Sequence, residues 1–389
     1  MTEHTNTPEL RFPEFNEEWR EFNLKDISTK KNKKNKNKLY NETFTNSAEY
    51  GIVSQKDYFD KEISNVRNLS NYYIVDPDDF VYNPRISRLA PVGPINRNKL
   101  NRIGVMSPLY TVFSTKLSIK SFLEYYFKTT KWHKFMKLNG DSGARSDRFT
   151  IKQSLFVKMP IVLPSEQEQE KIGKFFSKLD QQIELEEKKL ELLEQQKKGY
   201  MQKIFSQQLR FKDEKGNDYP KWIFKKFEEI FKVVPSKKYQ IKSSEIEDNA
   251  SIPVIDQGQN LILGFSNNKE KVFNDFKNVI IYGDHTTVIK RSDKPFIIGG
   301  DGVKLLTSKV DSDISYLYNA LQYFNVKSEG YKRHFSILKN KDFYISTSIE
   351  EQKRIANIFN KLDKYIEKQF AKVELLKQRK QGLLQKMFV

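Results

Sequence analysis

Residues 165–205 read SEQEQEKIGKFFSKLDQQIELEEKKLELLEQQKKGYMQKIF, and residues 348–388 read SIEEQKRIANIFNKLDKYIEKQFAKVELLKQRKQGLLQKMF. The two stretches align without a gap at a constant offset of 183, and about half of their positions are identical. Internal repeats are sought before anything else because overlooking one misassigns the fold. Each copy follows a domain-sized block, so the chain divides into residues 1–164, a central helix over 165–206, residues 207–347 and a C-terminal helix over 348–389.

Both copies open on S-x-x-E, Ser165 with Glu168 and Ser348 with Glu351. This is the capping-box pattern, in which side chains satisfy free N–H groups of the first helical turn. No proline follows in either copy, and Gly199 and Gly382 fall near the ends. Apolar residues then recur at steps of four and three: Ile172, Phe176, Leu179, Ile183, Leu190, Leu193, Tyr200 and Ile204. The second copy repeats them as Ile355, Phe359, Leu362, Ile366, Val373, Leu376, Leu383 and Met387. That heptad seam predicts paired helices.

Each seam carries two polar residues, Glu186 and Lys197 in the first and Gln369 and Lys380 in the second. Antiparallel pairing with residue numbers summing to 566 sets Glu186 opposite Lys380 and Lys197 opposite Gln369, and it stacks Leu190 on Leu376 and Leu193 on Val373. Every polar seam position then has a polar partner, as buried polar groups require. At about 1.5 Å per residue, Leu179 to Phe205 makes a rod about 40 Å long, close to one turn of DNA.

The chain carries 68 Lys and Arg against 50 Asp and Glu, a formal charge of +18. The two helical copies account for only +4 of this, so the blocks hold the excess. A basic surface of this size points to a polyanion, with a lysine-rich solubilising surface as the alternative. Zero cysteines exclude disulfides, thiol catalysis and Cys-ligated metal. No apolar run approaches the roughly 18 residues of a membrane span, and MTEHTNTPELRF lacks a signal-peptide layout. The expectation is a soluble cytoplasmic protein with no membrane partner.

The block openings repeat as well: Leu10-Arg11-Phe12 leads to Trp19 and Ile27, and Leu209-Arg210-Phe211 leads to Trp222 and Ile230. Short β-type runs follow in the first block at Tyr50–Ser54, Tyr72–Val75, Phe80–Tyr82 and Tyr110–Phe113, then an aromatic helix over Ser118–Lys137. The second block has runs at Ile252–Ile255, Val279–Tyr282, Thr287–Ile289 and Phe296–Ile298, then a helix over Ile314–Val326. A Gly-containing basic loop comes next in each, at 140–148 and 330–334, and a last short strand leads into the capping box. The fold class is α/β (α+β): two mixed domains separated by two long helices pairing as an antiparallel coiled coil, in a pseudo-twofold tandem repeat.

With its tandem plan, its Leu-Arg-Phe to Trp openings and its Glu-Gln, Ile, Leu-Asp, Ile pattern (Glu168-Gln169, Ile172, Leu179-Asp180, Ile183; Glu351-Gln352, Ile355, Leu362-Asp363, Ile366), the chain resembles the specificity subunit of Type I restriction-modification systems. The resemblance covers essentially the whole chain and rests on the duplicated arrangement. It implies that each block is a target recognition domain reading half of a split double-stranded DNA sequence. It further implies that the coiled coil spaces the domains and docks two methyltransferase subunits. Those subunits bring S-adenosylmethionine, and restriction subunits bring ATP, Mg and nuclease activity. No cofactor, metal or catalytic residue is then expected in this chain.

Residues that donate or accept in a DNA groove mark the candidate contacts. In the first block these are Lys30, Lys31, Lys33 and Lys34 of the run KKNKKNKNK (30–38), Arg85 and Arg88 of 83–88, and Arg145 and Arg148 of 140–148. In the second they are His285, Thr286, Lys290, Arg291, Lys332 and Arg333. The lysine run has too little apolar content to fold, and it reads either as a solvated loop or as a phosphate-contacting one. The resemblance transfers no base-contact residue to these positions. Asn83-Pro84-Arg85 lacks the second proline and the aromatic of an adenine-methyltransferase loop, so methyl transfer is rejected. Asp284 with Asp301-Gly302-Val303-Lys304 loosely fits a metal-dependent DNA endonuclease, the rival reading. His4, His133, His285 and His334 are too scattered for a metal cluster, and the abundant Tyr and Phe read as core before base-stacking platforms.

Overall fold

The structure, a computed structural model, describes residues 6–59, 66–116, 118–142, 147–330 and 332–389. The chain divides into two compact units, Met1–Glu186 with Lys372–Val389, and Glu187–Ala371. The helices run Glu166–Phe205 and Ile349–Lys386. Each helix therefore contributes a part of its length to each unit.

In the first unit a four-stranded antiparallel sheet has the order Ser28–Lys31, Thr111–Thr115, Phe80–Tyr82, Ile95–Arg97. In the second unit the order Phe231–Val234, Val303–Ser308, Ile280–Gly283, Ile289–Lys290 repeats that arrangement. Arg20–Asn23 pairs with Pro160–Leu163, and Ile223–Lys226 with Asp342–Ile345, so each block's opening strand lies beside the strand that leads into its long helix. Phe80–Tyr82 ends on buried Tyr82, and Ile280–Gly283 carries buried Tyr282 next to its last residue.

The helix expected over Ser118–Lys137 is two helices, Lys120–Tyr126 and His133–Asn139. The Thr129 hydroxyl donates to Tyr126 O at 2.7 Å and accepts from Lys131 N at 3.2 Å, and the Trp132 indole donates to Phe127 O. Side chains that bond nearby backbone in this way compete with helix continuation. The lysine run also folds, against expectation. Lys30 and Lys31 belong to a strand opposite Phe113 and Val112, Ile74 N donates to Lys33 O, and buried Asn35 donates to Tyr40 O. Backbone pairing and one internal Asn supply the order that side-chain hydrophobicity lacks.

Helix ends complete the cores. Phe388 packs on Phe122 and Phe176 in the first unit, and Phe205 on Trp222, Tyr316 and Phe359 in the second. All are almost fully buried, which stabilises by roughly 1.5–3 kcal/mol for each large apolar side chain. In the first unit Leu10 N donates to Lys386 O at 2.9 Å, so the chain's first described residues and its last helix meet.

The capping boxes form only in part. Ser165 and Ser348 Oγ accept from Glu168 N and Glu351 N, at 3.4 and 3.3 Å. The carboxylates have stronger partners. Glu168 takes both arms of Arg11, at 2.8 and 2.7 Å. Glu351 takes the Trp222 indole at 2.8 Å, the Ser346 hydroxyl at 2.6 Å and Arg210 at 3.4 Å. The repeated Leu-Arg-Phe opening and Glu-Gln motif are thus the two sides of one ion pair in each unit.

The helices pair antiparallel within each unit, but in a different register from the one summing to 566. In the first unit Asp180 pairs with Lys380, and Glu186 with Lys372 at 2.5 Å. In the second, Lys197 pairs with Asp363 at 2.6 Å. The charged partners are displaced by six to eight residues from the expected ones, whereas the rings of Phe205 and Phe359 meet only two residues from that register. Seam lysines reach the carboxylate of the Leu-Asp step on the facing helix, because a long flexible stem carries the ammonium off the seam to a charged partner. Ile183, Gln369 and Val373 are buried, while Leu179, Glu186, Leu190, Leu193, Lys197, Ile366, Leu376, Lys380 and Leu383 are half-buried.

Candidate nucleic-acid interface

In the first unit, the segment after strand Phe80–Tyr82 is held by backbone geometry. Asn83 Oδ1 accepts from Arg85 N, Ser87 and Ala90 exchange backbone hydrogen bonds, and Gly93 lies at φ +82°. A Cβ at Gly93 would stand 2.1 Å from Asn83 O, so only glycine lets the loop close there. Beneath it, Asn46 donates to Val81 O at 2.6 Å, and its Oδ1 accepts from Asn96. Asn83 donates to Asn46 O at 2.7 Å. The asparagine of the Asn-Pro-Arg motif is therefore a structural brace.

Two sequence-nominated segments come together here. Ile86 N donates to Asp147 O at 3.1 Å and Phe149 N to Pro84 O at 2.7 Å, bridging Arg85 to Arg148. Arg85, Arg88 and Arg148 are exposed, the last with a loose 3.8 Å contact to Asp147. Arg145 lies outside the described residues. Arg85 and Arg88 border a cavity of about 660 Å³ whose other walls include Thr45, Asn46, Gln55, Tyr58 and Tyr110. Gln55, Tyr58 and Asn46 were not nominated from sequence. Asn46 lies in the polar strand Phe44–Ser47, whose sequence carries no apolar alternation to set it apart.

The second unit repeats this arrangement with other residues. His334 N donates to Asp284 O at 2.8 Å, Phe335 N donates to the Asp284 carboxylate at 3.0 Å, and His285 Nδ1 lies 3.1 Å from Lys332 O. Gln257 closes the back: its Oε1 accepts from His285 N at 3.0 Å and its backbone O from the Thr286 hydroxyl at 2.5 Å. Buried His334 accepts from Glu329 N through Nε2 and faces Asp284 O through Nδ1, so both ring nitrogens are used within the fold. Lys332 is exposed with a 3.2 Å pair to Glu329, and Arg333 is exposed.

Three nominated cations are engaged inside the fold. Lys290 is buried, and its ammonium donates to Asp256 O at 2.9 Å and Asn260 O at 2.5 Å. Burial lowers its pKa, with Asp256 opposing. Arg291 donates to Ser315 Oγ at 2.9 Å and lies over the Tyr318 ring. Lys31 pairs with Asp76 and Asp79 at 2.6 and 3.0 Å. In each case through-space acceptors, invisible in the local sequence, take up the donors. Lys30, Lys33 and Lys34 are exposed.

The residues of the endonuclease pattern are likewise engaged: Asp284 accepts from the Phe335 backbone, and Asp301 accepts from Gln240 at 3.0 Å. His133 packs edge-on against Trp132. Among the described residues, no group of three or more His, Asp or Glu side chains is placed to hold a metal ion, and no helix is long and apolar enough to cross a membrane.

The fold is similar to the crystal structure of the specificity subunit of a Type I restriction-modification system from M. genitalium, with a TM-score of 0.59 at 15% identity over 98% of this chain and 99% of that one. The HsdS subunit of Thermoanaerobacter tengcongensis aligns over 95% and 96% of the two chains at 13% identity, with a TM-score of 0.42. Residues of this chain are 33% identical over 93 positions to the Escherichia coli Type I restriction enzyme EcoR124I/EcoR124II specificity subunit. That match spans 23% of this chain and 23% of the curated relative. The family described as the Type I restriction modification DNA specificity domain matches twice, over residues 16–195 and 219–376. Two matches that together take in most of the chain establish that it belongs to the Type I restriction modification DNA specificity domain family.

Proposed function

We propose that this chain is the DNA-recognition subunit of a Type I restriction-modification complex, each unit reading one half of a split target. The observation that carries this reading is the same construction in both units. The loop that follows the central strand of the four-stranded sheet is hydrogen-bonded to the loop that precedes the block's last short helix, Gln153–Phe156 or Phe335–Lys339, through Pro84 to Phe149 and Asp284 to His334. Each pair of loops forms one polar head held from behind by an amide side chain. Arg85, Arg88 and Arg148 supply donors suited to guanine edges and phosphates in one head, Lys332, Arg333, His285 and Thr286 in the other.

In this reading residues 1–164 and 207–347 are the target recognition domains, and the helices of 165–206 and 348–389 set the spacer and dock the partners. The subunit itself is non-catalytic. Two methyltransferase subunits bring S-adenosylmethionine, restriction subunits bring ATP and Mg, and the complex acts in the cytoplasm.

Methylation mapping of DNA from cells that express the chain with a cognate methyltransferase subunit tests this. The expected product is a split adenine-methylated sequence of which only one half changes when one recognition domain is exchanged. A continuous palindrome would overturn the reading.

A further inference from the structure

A second cavity in the first unit, of about 670 Å³, adjoins the Arg85–Arg88 groove, and Ala48, Glu49, Leu89 and Pro94 line both. Arg97, Lys99, Lys128 and Lys380 line its far end. These cations share few carboxylates. Glu124, itself buried, is contacted by Arg97 at 2.6 Å, Lys99 at 3.1 Å and Lys128 at 3.7 Å. Asp180 is contacted by Lys380 and, at 3.8 Å, by Lys128. Arg97 also lies 3.6 Å from Asp78, a carboxylate it shares with Lys120. With Lys120 counted, five cations meet the four carboxylates Glu124, Asp180, Asp78 and Glu49, a surplus of one positive charge, and the Arg97 Nε is buried without a hydrogen-bond partner.

The cluster is peculiar to one unit. Strand pairing aligns Ile95 with Ile289 through Tyr82 and Tyr282, and ring contacts align Phe122 with Tyr316 through Trp19 and Trp222. Both correspondences have an offset of 194. At that offset Lys99, Glu124 and Lys128 are replaced by Asp293, Tyr318 and Gln322. The second unit keeps an arginine, Arg291, and sets it over an aromatic ring. A surplus retained in one copy and dissolved in the other is not needed for the shared fold.

We infer that this cleft is a phosphate-contacting site for the DNA backbone, present in the first unit alone, which takes the phosphates of the strand that continues past the Arg85–Arg88 groove. The inference rests on the proposed function. A concave cluster of partly paired cations attracts a phosphodiester without reading its base, and the shared rim makes the cleft continuous with the base-reading head. Lys99 is half-exposed and Lys128 reaches the cavity with a side chain 31% exposed, so a phosphate can approach both.

The test compares the full-length chain with its Lys99→Ala/Lys128→Gln variant by fluorescence anisotropy on duplex DNA across a salt series, with methylation mapping alongside. The salt slope of the variant should be shallower by about one to two, and its affinity for target and random duplex alike should fall by roughly tenfold at low salt. Its methylated sequence should be unchanged. Lys99→Ala alone provides a second, milder variant, since Arg97 and Lys128 still reach Glu124. An unchanged slope with intact binding overturns this inference and leaves the proposed function standing. So does a changed methylated sequence, or loss of co-purification with the methyltransferase subunit at an unchanged slope, which would assign the cleft to an acidic protein surface. Wild-type chain with no duplex affinity at any salt overturns both.

Discussion

Asp180 of the central helix is ion-paired with Lys380 of the C-terminal helix, and the same pair recurs as Asp363 with Lys197 at the repeat offset of 183. Burial alone would raise the Asp180 carboxyl, but the Lys380 hydrogen bond, the charge of Lys128 and the Tyr125 hydroxyl outweigh it and hold the pKa below its ordinary value. One seam lysine and one Leu-Asp carboxylate, each present once per repeat, fasten the helices in both units.

Reversing the charge tests this register. Asp180→Lys should destabilise the first unit by about 2–4 kcal/mol in urea unfolding, because Lys128 and Lys380 lose a common partner in a half-buried site. The double reversal Asp180→Lys/Lys380→Asp should recover part of the loss, the signature of a coupled pair. A depressed folded pKa means that the pair's contribution is present above the unfolded carboxylate value and fades as pH falls through the folded one.

Equivalent tryptophans should respond unequally to the same substitution. The Trp222 indole donates to Glu351, whereas the Trp19 Nε1 is buried without a partner. Trp222→Phe leaves a buried carboxylate short of one donor, and it should cost about 1–3 kcal/mol more than Trp19→Phe. Equal losses by calorimetry would show that the indole bond contributes nothing.

Two cations of the second unit should separate stability from binding. Lys290→Met removes the donor held by Asp256 O and Asn260 O, and should lower the melting temperature while leaving the salt dependence of DNA binding unchanged. Arg333→Ala, at an exposed position, should leave melting unchanged and weaken binding. The reverse outcome would exchange their roles.

Asp79 predicts a pH effect of opposite sign to that of Asp180. Burial pushes its carboxyl up to about 6 in spite of Lys31, above its ordinary value. With the folded value above the unfolded one, its stabilising contribution is full below the unfolded pKa and is lost as pH rises through about 6. Between about pH 4 and about pH 7, the unfolding free energy of Asp79→Asn should therefore gain on wild type by on the order of 1–2 kcal/mol. A pH-independent difference would place the Asp79 carboxyl at its ordinary value.

Much of the architecture is legible in the residues. The duplicated 41-residue stretch, its seam from Ile172 to Ile204 and the absence of proline reveal two helices that must pair, because an apolar stripe of that length cannot face water. Turn residues around Asn83-Pro84 and Gly283-Asp284 mark the loops that form the two heads. The break at Thr129 was hidden, because hydroxyl-to-backbone bonds end a helix without disturbing its apolar period.

Composition and spacing along the chain specified the repeat, the antiparallel helices and the segments that carry the donors, since these depend on local period and residue type. Folding decided which donors face outward. Lys31 meets Asp76 across 45 residues and Lys290 meets Asp256 across 34, whereas Arg85 and Arg88 are left at the rim of a groove. The helix register was decided the same way, by Lys380 finding Asp180 across the seam. A charge's availability is set by what lies within a few ångströms of it, and chain order does not encode that until the fold brings the partners together.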